Sequence, residues 1–421
     1  MANDRTIYVY ADWDQLPGGP LLMGVLTSMH SRGKEIYSFE YAPEWLTKGY
    51  GQHLDPDLQF YGGRQYTADT KSNFGLFLDS SPDRWGKVLM KRRESILARR
   101  EERKPVTLFE SDFLLGVYDE HRIGALRFKL DPAGEFVNSE KVLAAPPWTL
   151  IRELEQASLR LEQEDYDDDD ALKWLNMLMA PGSSLGGARP KASVKDEKGQ
   201  LWIAKFPSGA DEVDIGAWEA VAMEIAARSG IKVGPYMAKK FSSKHHSFLS
   251  RRFDRTPGGG RIHFASAMTL LGQSDGADYS TGVSYLDMVS FITQHSAHVN
   301  EDLAELWRRI VLNICISNTD DHLRNHGFLL SDQGWALSPV FDVNPIVGGT
   351  GLKLNISETD NSLDLDLARS VISYFRISAD EAELIINRVQ KAVGVWRKVA
   401  ESKGLSKREQ DLMGGAFLTV N

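Results

Sequence analysis

An apolar helical run that empties into a dense polar cluster constrains this chain most. Leu303, Leu306, Trp307, Ile310, Val311, Ile314 and Cys315 recur at helical spacing, so the run is a core helix. It leads into Ser317-Asn-Thr-Asp-Asp-His-Leu-Arg-Asn325, which packs carboxylates, amides and basic residues into nine positions. On a continuous helix, Asp320 and Asn325 would point in different directions, so the cluster reads as a loop at the exit of a buried helix.

The following residues place a second carboxylate near this loop. Gly327–Leu330 and Trp335–Leu337 read as strands flanking the turn Ser331-Asp-Gln-Gly334. A hairpin there sets Asn325 opposite about residue 340, close to Asp342. An Asp, an Asn five residues on and a later Asp form the pattern of a phosphoryl-transfer catalytic loop. The first Asp takes a hydroxyl proton and the other two bind metal. Hard oxygen ligands suit Mg²⁺ carrying substrate phosphates. Against this stands the ordinary use of Asx residues as turn and cap residues, which the three-part spacing makes the weaker reading.

A second constellation lies upstream. Pro181-Gly-Ser-Ser-Leu-Gly-Gly-Ala-Arg-Pro-Lys191 is a glycine-rich loop, a composition that lets backbone N–H groups approach an anion. It is neither a Walker loop nor Gly-x-Gly-x-x-Gly. A hairpin across Asp196–Gly199 joins Ala192–Val194 to Leu201–Lys205 and sets Lys205 opposite about residue 190. Lys205 alternates onto the apolar face of Leu201 and Ile203, where a lysine needs a partner: a nucleotide phosphate, or a structural ion pair. Glu219, on a helix expected over about 213–229 and capped by Gly230, is a candidate partner.

The remaining chain reads in order. Thr6–Tyr10, Leu21–Leu26 and Glu35–Tyr41 are strands of a small antiparallel sheet. A helix spans about Pro82–Arg103, with nine Lys/Arg between Arg84 and Lys104; a solvated charged face outweighs a docking surface. Pro105 marks a boundary. Leu115–Tyr118 and Ile123–Lys129 read as strands, Trp148–Leu161 as a helix, and the acidic run 164–170 as a solvated linker. Phe248–Arg255 is a strand and 256–260 a flexible loop. Beyond about Ser284 the chain is mostly helical, and Ser378-x-x-Glu381 caps a long helix to about Ser402.

At 421 residues the chain should hold two or three domains. A single cysteine excludes intrachain disulfides and cysteine-rich metal sites, and fits a reducing cytoplasm. No apolar run suits a signal core or a membrane span. A net charge of −9 argues against strong unassisted nucleic-acid binding.

These motifs together resemble HipA-type toxin serine/threonine kinases. Phe74-Gly-Leu-Phe-Leu-Asp-Ser-Ser-Pro-Asp-Arg-Trp-Gly86 looks like that family's N-terminal signature, and Ser184–Lys191 resembles its phosphate loop. Ala204-Lys-Phe-Pro207 is similar to its ATP-lysine strand, Arg252–Arg255 to its hinge and Asn318–Asn325 to its catalytic loop. Phe341-Asp342 and Gly348–Gly351 complete the pattern. The resemblance implies a two-lobed α+β protein-kinase-like fold: an N-terminal subdomain over 1–104, a kinase N-lobe over 105–252 and a helical C-lobe over 253–421. It implies Asp320 as catalytic base and Asn325 and Asp342 as Mg²⁺ ligands. ATP would be held by Ser184, Leu185, Gly186, Gly187, Ala188, Lys191 and Lys205, with Glu219 as the partner of Lys205. Arg251 and Phe253 would meet adenine through their backbone, with His322 and Arg324 in the same site. Ser184 would be the autophosphorylation site, whose modification silences the kinase. Some members carry Glu where this chain has Arg251. His322 and His326, four apart, are read as structural, since no third zinc-type ligand is placed nearby.

The resemblance further implies a translation-related protein substrate, such as an aminoacyl-tRNA synthetase. It implies a HipB-like helix-turn-helix antitoxin, with operator DNA reached mainly through that antitoxin, and a cytoplasmic location without membrane contact. Two rivals are a small-molecule phosphotransferase and a catalytically silent co-repressor bound to an antitoxin–DNA complex. The N-terminal region disfavours the first, and the intact Asp320, Asn325, Asp342 and Lys205 disfavour the second.

Overall fold

The computed structural model describes residues 4–418 apart from 32, 49, 52, 140–144, 164–166, 180–186 and 188. The fold is mixed α+β, and the chain divides into two units: residues 1–209 with 254–274, and residues 210–253 with 275–421.

In the first unit, β1 (Arg5–Ala11), β2 (Leu21–Ser31), β3 (Lys34–Tyr41), β4 (Gln65–Tyr66) and β5 (Leu126–Lys129) form an antiparallel sheet in the order β4-β3-β2-β1-β5. The period-2 pattern is plain in β1, where Ile7, Val9 and Ala11 are fully buried. β2 and β3 close on a Ser31–Lys34 pair, with Gly33 at φ 79°. The basic helix spans Arg84–Arg100, with Asp83 accepting from the Gly86 N–H as its N-cap.

Two expectations fail in this unit. Residues 110–116 are helical, not the start of a strand at 115. The Asp112 carboxylate accepts from the Phe109 N–H at 2.8 Å, and acids in the first turn favour the helix dipole. The described end of the acidic run is not a linker either. Asp168, Asp169 and Asp170 open the helix Asp168–Met179. Asp168 pairs with Arg99 at 2.6 Å, and Asp169 pairs with Arg100. The basic helix face thereby gains counter-charges 69 positions away in sequence.

β6 (Lys191–Lys195) and β7 (Leu201–Lys205) form the expected hairpin, with Lys205 directly opposite Lys191. Asp79, inside the N-terminal signature, is buried and accepts from the Ser266 N–H (2.7 Å) and hydroxyl (2.8 Å).

The second unit is built around the helix Val299–Cys315. Leu303, Leu306, Trp307, Ile310, Val311, Ile314 and Cys315 are all buried, as their spacing requires. Trp307 donates its indole N–H to the Ala368 carbonyl at 3.1 Å, so its buried ring is satisfied. Gly327–Ser331 and Gly334–Leu337 pair as a hairpin, as do Tyr236–Lys239 and Ser247–Arg251. The expected 248–255 strand therefore stops at Arg251. The C-terminal helix also stops early: Ser378 caps Ala379–Val393, Gly394 ends it, and Trp396–Ser402 forms a separate helix.

The helix Ile215–Arg228 carries Glu219, and Asp214 organises its start. The Asp214 carboxylate accepts from the Ala217 N–H (3.2 Å), the His246 N–H (2.8 Å) and the His246 ring (2.6 Å). Burial alone would raise its pKa, but the His246 and Ala217 donors outweigh burial and lower it. A depressed folded pKa gives stability that is present above the unfolded carboxylate value and is lost as pH falls through the folded value. Asp214→Ala should therefore cost about 1–2 kcal/mol near neutral pH through the lost cap. Denaturant titrations from pH 7 downward should show the gap to the parent closing below about pH 4, the unfolded carboxylate value.

Candidate functional site

Helix Val299–Cys315 ends in a tight left-handed turn. Ser317 takes φ 49°; its N–H bonds to the Ile314 carbonyl (3.2 Å) and the Asn318 N–H to the Asn313 carbonyl (2.9 Å). Glycine is the usual residue here, so a serine in this conformation is a locally strained exit. The following segment is a loop with one 3-10 turn at Leu323–Asn325.

Asp320 is exposed on this loop. Its backbone carbonyl accepts from the His322 N–H (2.9 Å) and the Asn325 Nδ2 (3.1 Å). The five-residue separation is thus closed by the Asn325 amide folding back under Asp320. Asn325 is buried, and its Oδ1 has no hydrogen-bond partner among the described residues. A buried acceptor left unmade costs about 1–3 kcal/mol, which a ligand would recover.

The hairpin register pairs Phe328 with Leu337 and Leu330 with Trp335. Gly327 continues it, its carbonyl accepting from the Ser338 N–H. Asp342 then adopts φ 58°, a left-handed conformation that Asp tolerates better than most residues. Two contacts tie its segment to the loop. The Asn344 N–H faces the Asn318 Oδ1 at 3.5 Å, and Thr319 packs against Gly349, where an added Cβ would fall 2.4 Å from the Thr319 methyl.

Beside the exposed Asp320, Asp321 is buried. Its Oδ2 accepts from the Tyr285 hydroxyl (2.5 Å), the Asn313 Nδ2 (2.8 Å) and the His326 Nε2 (2.8 Å). Burial opposes the ionised form, but the His326 ring and the Tyr285 hydroxyl outweigh it and hold the carboxyl below its ordinary range. The Tyr285 phenol is pushed well above its usual value by burial and by Asp321, so it stays a donor. Sequence reasoning missed this cluster: Asp320 and Asp321 are chemically identical, and burial separates them. The pairing explains His326 as structural. His322 is half-buried, and Arg324 pairs with Asp275 at 3.0 Å.

Ser184, Leu185, Gly186 and Ala188 lie outside the described residues. At the end of the glycine-rich loop, Gly187 takes φ 84°. Lys191 is buried, bonded to Asp83 at 2.5 Å and to the Gly187 carbonyl at 3.2 Å. Lys205 is half-buried at the end of β7, and the next residue, Phe206, bonds through its N–H to the Pro190 carbonyl at 2.8 Å. In the second unit Glu219 is buried on its helix. The Arg251 N–H bonds to the Pro235 carbonyl at 2.9 Å, and the Phe253 ring lies 5.5 Å from that of Phe341.

The donor set fits Mg²⁺ in kind. Asn325 Oδ1 is a buried oxygen without a partner among the described residues, and Asp342 supplies a carboxylate on the adjoining segment. Among the described residues, no group of three or more His, Cys, Asp or Glu could hold a metal ion. Mg²⁺ bound with nucleotide phosphates needs only one or two protein carboxylates.

A family model described as the HipA-like C-terminal domain matches residues 183–396. The chain belongs to the HipA-like family. A solved structure of HipA from Shewanella oneidensis MR-1, in complex with HipB and its operator DNA, shares the fold of this HipA-like chain. Its TM-score is 0.64 at 17% identity, covering 97% of this chain and 94% of that one. Two curated relatives carry provisional kinase names. The Sinorhizobium fredii protein Y4dM is 28% identical over 227 residues, 49% of this chain and 54% of that protein. A Haemophilus influenzae protein is 29% identical over 179 residues, 38% of this chain and 52% of that protein. The matched region thus spans about half the length of these relatives. Among the described residues, no helix of the HipA-like chain is long and apolar enough to cross a membrane.

Proposed function

We propose that this chain is an ATP- and Mg²⁺-dependent serine/threonine kinase acting as the toxin of a toxin–antitoxin pair. The observation that carries the kinase reading is the Asp320–Asn325 turn: the exposed Asp320 accepts through its backbone carbonyl from the buried Asn325 amide, whose oxygen has no partner among the described residues. Asp320 takes the proton of the acceptor hydroxyl. Asn325 and Asp342 would hold Mg²⁺, which would supply charge neutralisation for the transferring phosphate. Lys205 holds the nucleotide phosphates at the end of β7.

The toxin role rests on the family and on the fold shared with a HipA that is bound to HipB and operator DNA. A helix-turn-helix antitoxin is the corresponding partner here, and DNA is reached through it, in keeping with a net charge of −9. The substrate is a translation-related protein of the cytoplasm. Ser184 is the self-silencing site, because a phosphate there adds charge in a loop that must receive ATP phosphates.

Intact-protein mass spectrometry tests this reading. Unphosphorylated parent incubated with Mg²⁺ and ATP should gain one phosphate at Ser184; chelator or Asp342→Ala should abolish the gain. Parent that labels neither itself nor any protein of a lysate would overturn the reading.

A further inference from the structure

Asp321, Asn313 and Asn318 are almost fully buried, at 4%, 3% and 1% exposure, in a core where apolar residues of similar volume would pack without desolvating a charge. We infer that they form a positioning relay, which orients the segment bearing Asp320 and the segment bearing Asp342 as one piece. The inference rests on the kinase reading for its catalytic consequence, and on the hydrogen bonds alone for its structural one.

The relay has a direction, and Asp321 sets it. An ionised carboxylate only accepts, so the Asn313 amide must turn its Nδ2 toward Asp321, where it lies at 2.8 Å. The Asn313 Oδ1 is then left facing Asn318, whose Nδ2 donates to it at 3.0 Å. That in turn aims the Asn318 Oδ1 at the Asn344 N–H, 3.5 Å away and the weakest link. One carboxylate thereby fixes two amide orientations. The chain of contacts starts next to Asp320 and ends two residues beyond Asp342.

The origin of the relay is itself anchored. The same Asp321 Oδ2 accepts from Tyr285 at the start of helix Tyr285–His295, and from His326 at the entry to the hairpin. Chains of hydrogen bonds in a low-dielectric core reinforce one another, and a half-satisfied chain is costly. None of the three residues needs to touch the reacting atoms. Their effect is on the placement of those that do, where an error of about 1 Å can cost about 10²-fold in rate.

Two variants of the full chain test this. Asp321→Asn keeps the shape but presents a donor to donors; Asn318→Ala cuts the relay and leaves the Asp321 cluster with its three donors. Each folded variant should lose about 10²-fold in kcat for phosphate transfer, while KM for ATP stays within about threefold, the pattern of lost transition-state placement and not of lost binding. Hydrogen exchange read by mass spectrometry should quicken in peptides covering 341–350, although the substitutions lie some twenty positions upstream. In Asn318→Ala, peptides around Tyr285 should keep their parental exchange.

Parental exchange at 341–350 in a folded variant would overturn the relay, whatever happens to the rate. Parental kcat would overturn its catalytic role. Should Asp321→Asn fail to fold, Asn318→Ala carries the test alone. Should the parent transfer no phosphate, the kinase reading falls, and the exchange data decide the relay independently.

Discussion

Asp320→Asn should fold as stably as the parent and transfer phosphate about 10³-fold more slowly, within the range for a removed general base. Its side chain is exposed, and the structural hydrogen bonds at this position are accepted by its backbone carbonyl, which the substitution keeps. Exposed substitutions of this kind stay within about 0.5 kcal/mol. An amide of the same shape cannot take the proton from an acceptor hydroxyl. The neighbouring Asp321→Asn gives the opposite balance, a stability loss from confronting three buried donors as well as a rate loss. The check is a thermal melt beside steady-state turnover for both variants. An Asp320→Asn protein with parental turnover would remove Asp320 from the chemistry.

The parts of the site legible in the sequence were those set by local rules. The turn Ser331–Gly334 is bounded by strand-like runs, so the hairpin register followed. The Asp196–Gly199 turn likewise set Lys205 opposite Lys191. What could not be read depended on partners distant in sequence. A run of aspartates by itself repels and hydrates; Arg99 and Arg100 turn its end into a paired helix start. Leu115–Tyr118 has strand composition, yet helix 110–116 wins because Asp112 caps it from within. The break after Val393 had a visible signal in Gly394, which the upstream Ser378 cap overshadowed. The left-handed Ser317 carries no sequence signal at all, since only the need to turn out of the core helix there requires it.

Asp83→Ala should be among the most destabilising single changes in the first unit, because Asp83 serves two structures at once. Its Oδ1 caps the helix Arg84–Arg100 through the Gly86 N–H at 2.8 Å. Its Oδ2 meets the Lys191 ammonium at 2.5 Å, with side-chain exposures of 6% and 2%. The cap alone is worth about 1 kcal/mol. Removing the carboxylate from a buried ion pair costs more, so the total loss should be about 3–5 kcal/mol. The Gly187 carbonyl 3.2 Å from Lys191 is a dipole and cannot replace the lost carboxylate charge. Because that ammonium spans Gly187 and Asp83, the same change should free the exit of the glycine-rich loop from the helix start. Denaturant unfolding of the full chain measures the first effect. The double variant Asp83→Ala with Lys191→Met separates the causes: removing both charges should recover most of the loss beyond the cap, since a buried pair replaced by apolar groups is often near neutral. A single Asp83→Ala loss no larger than the cap would show that Lys191 finds water or another carboxylate, and that the N-terminal signature does not brace the loop.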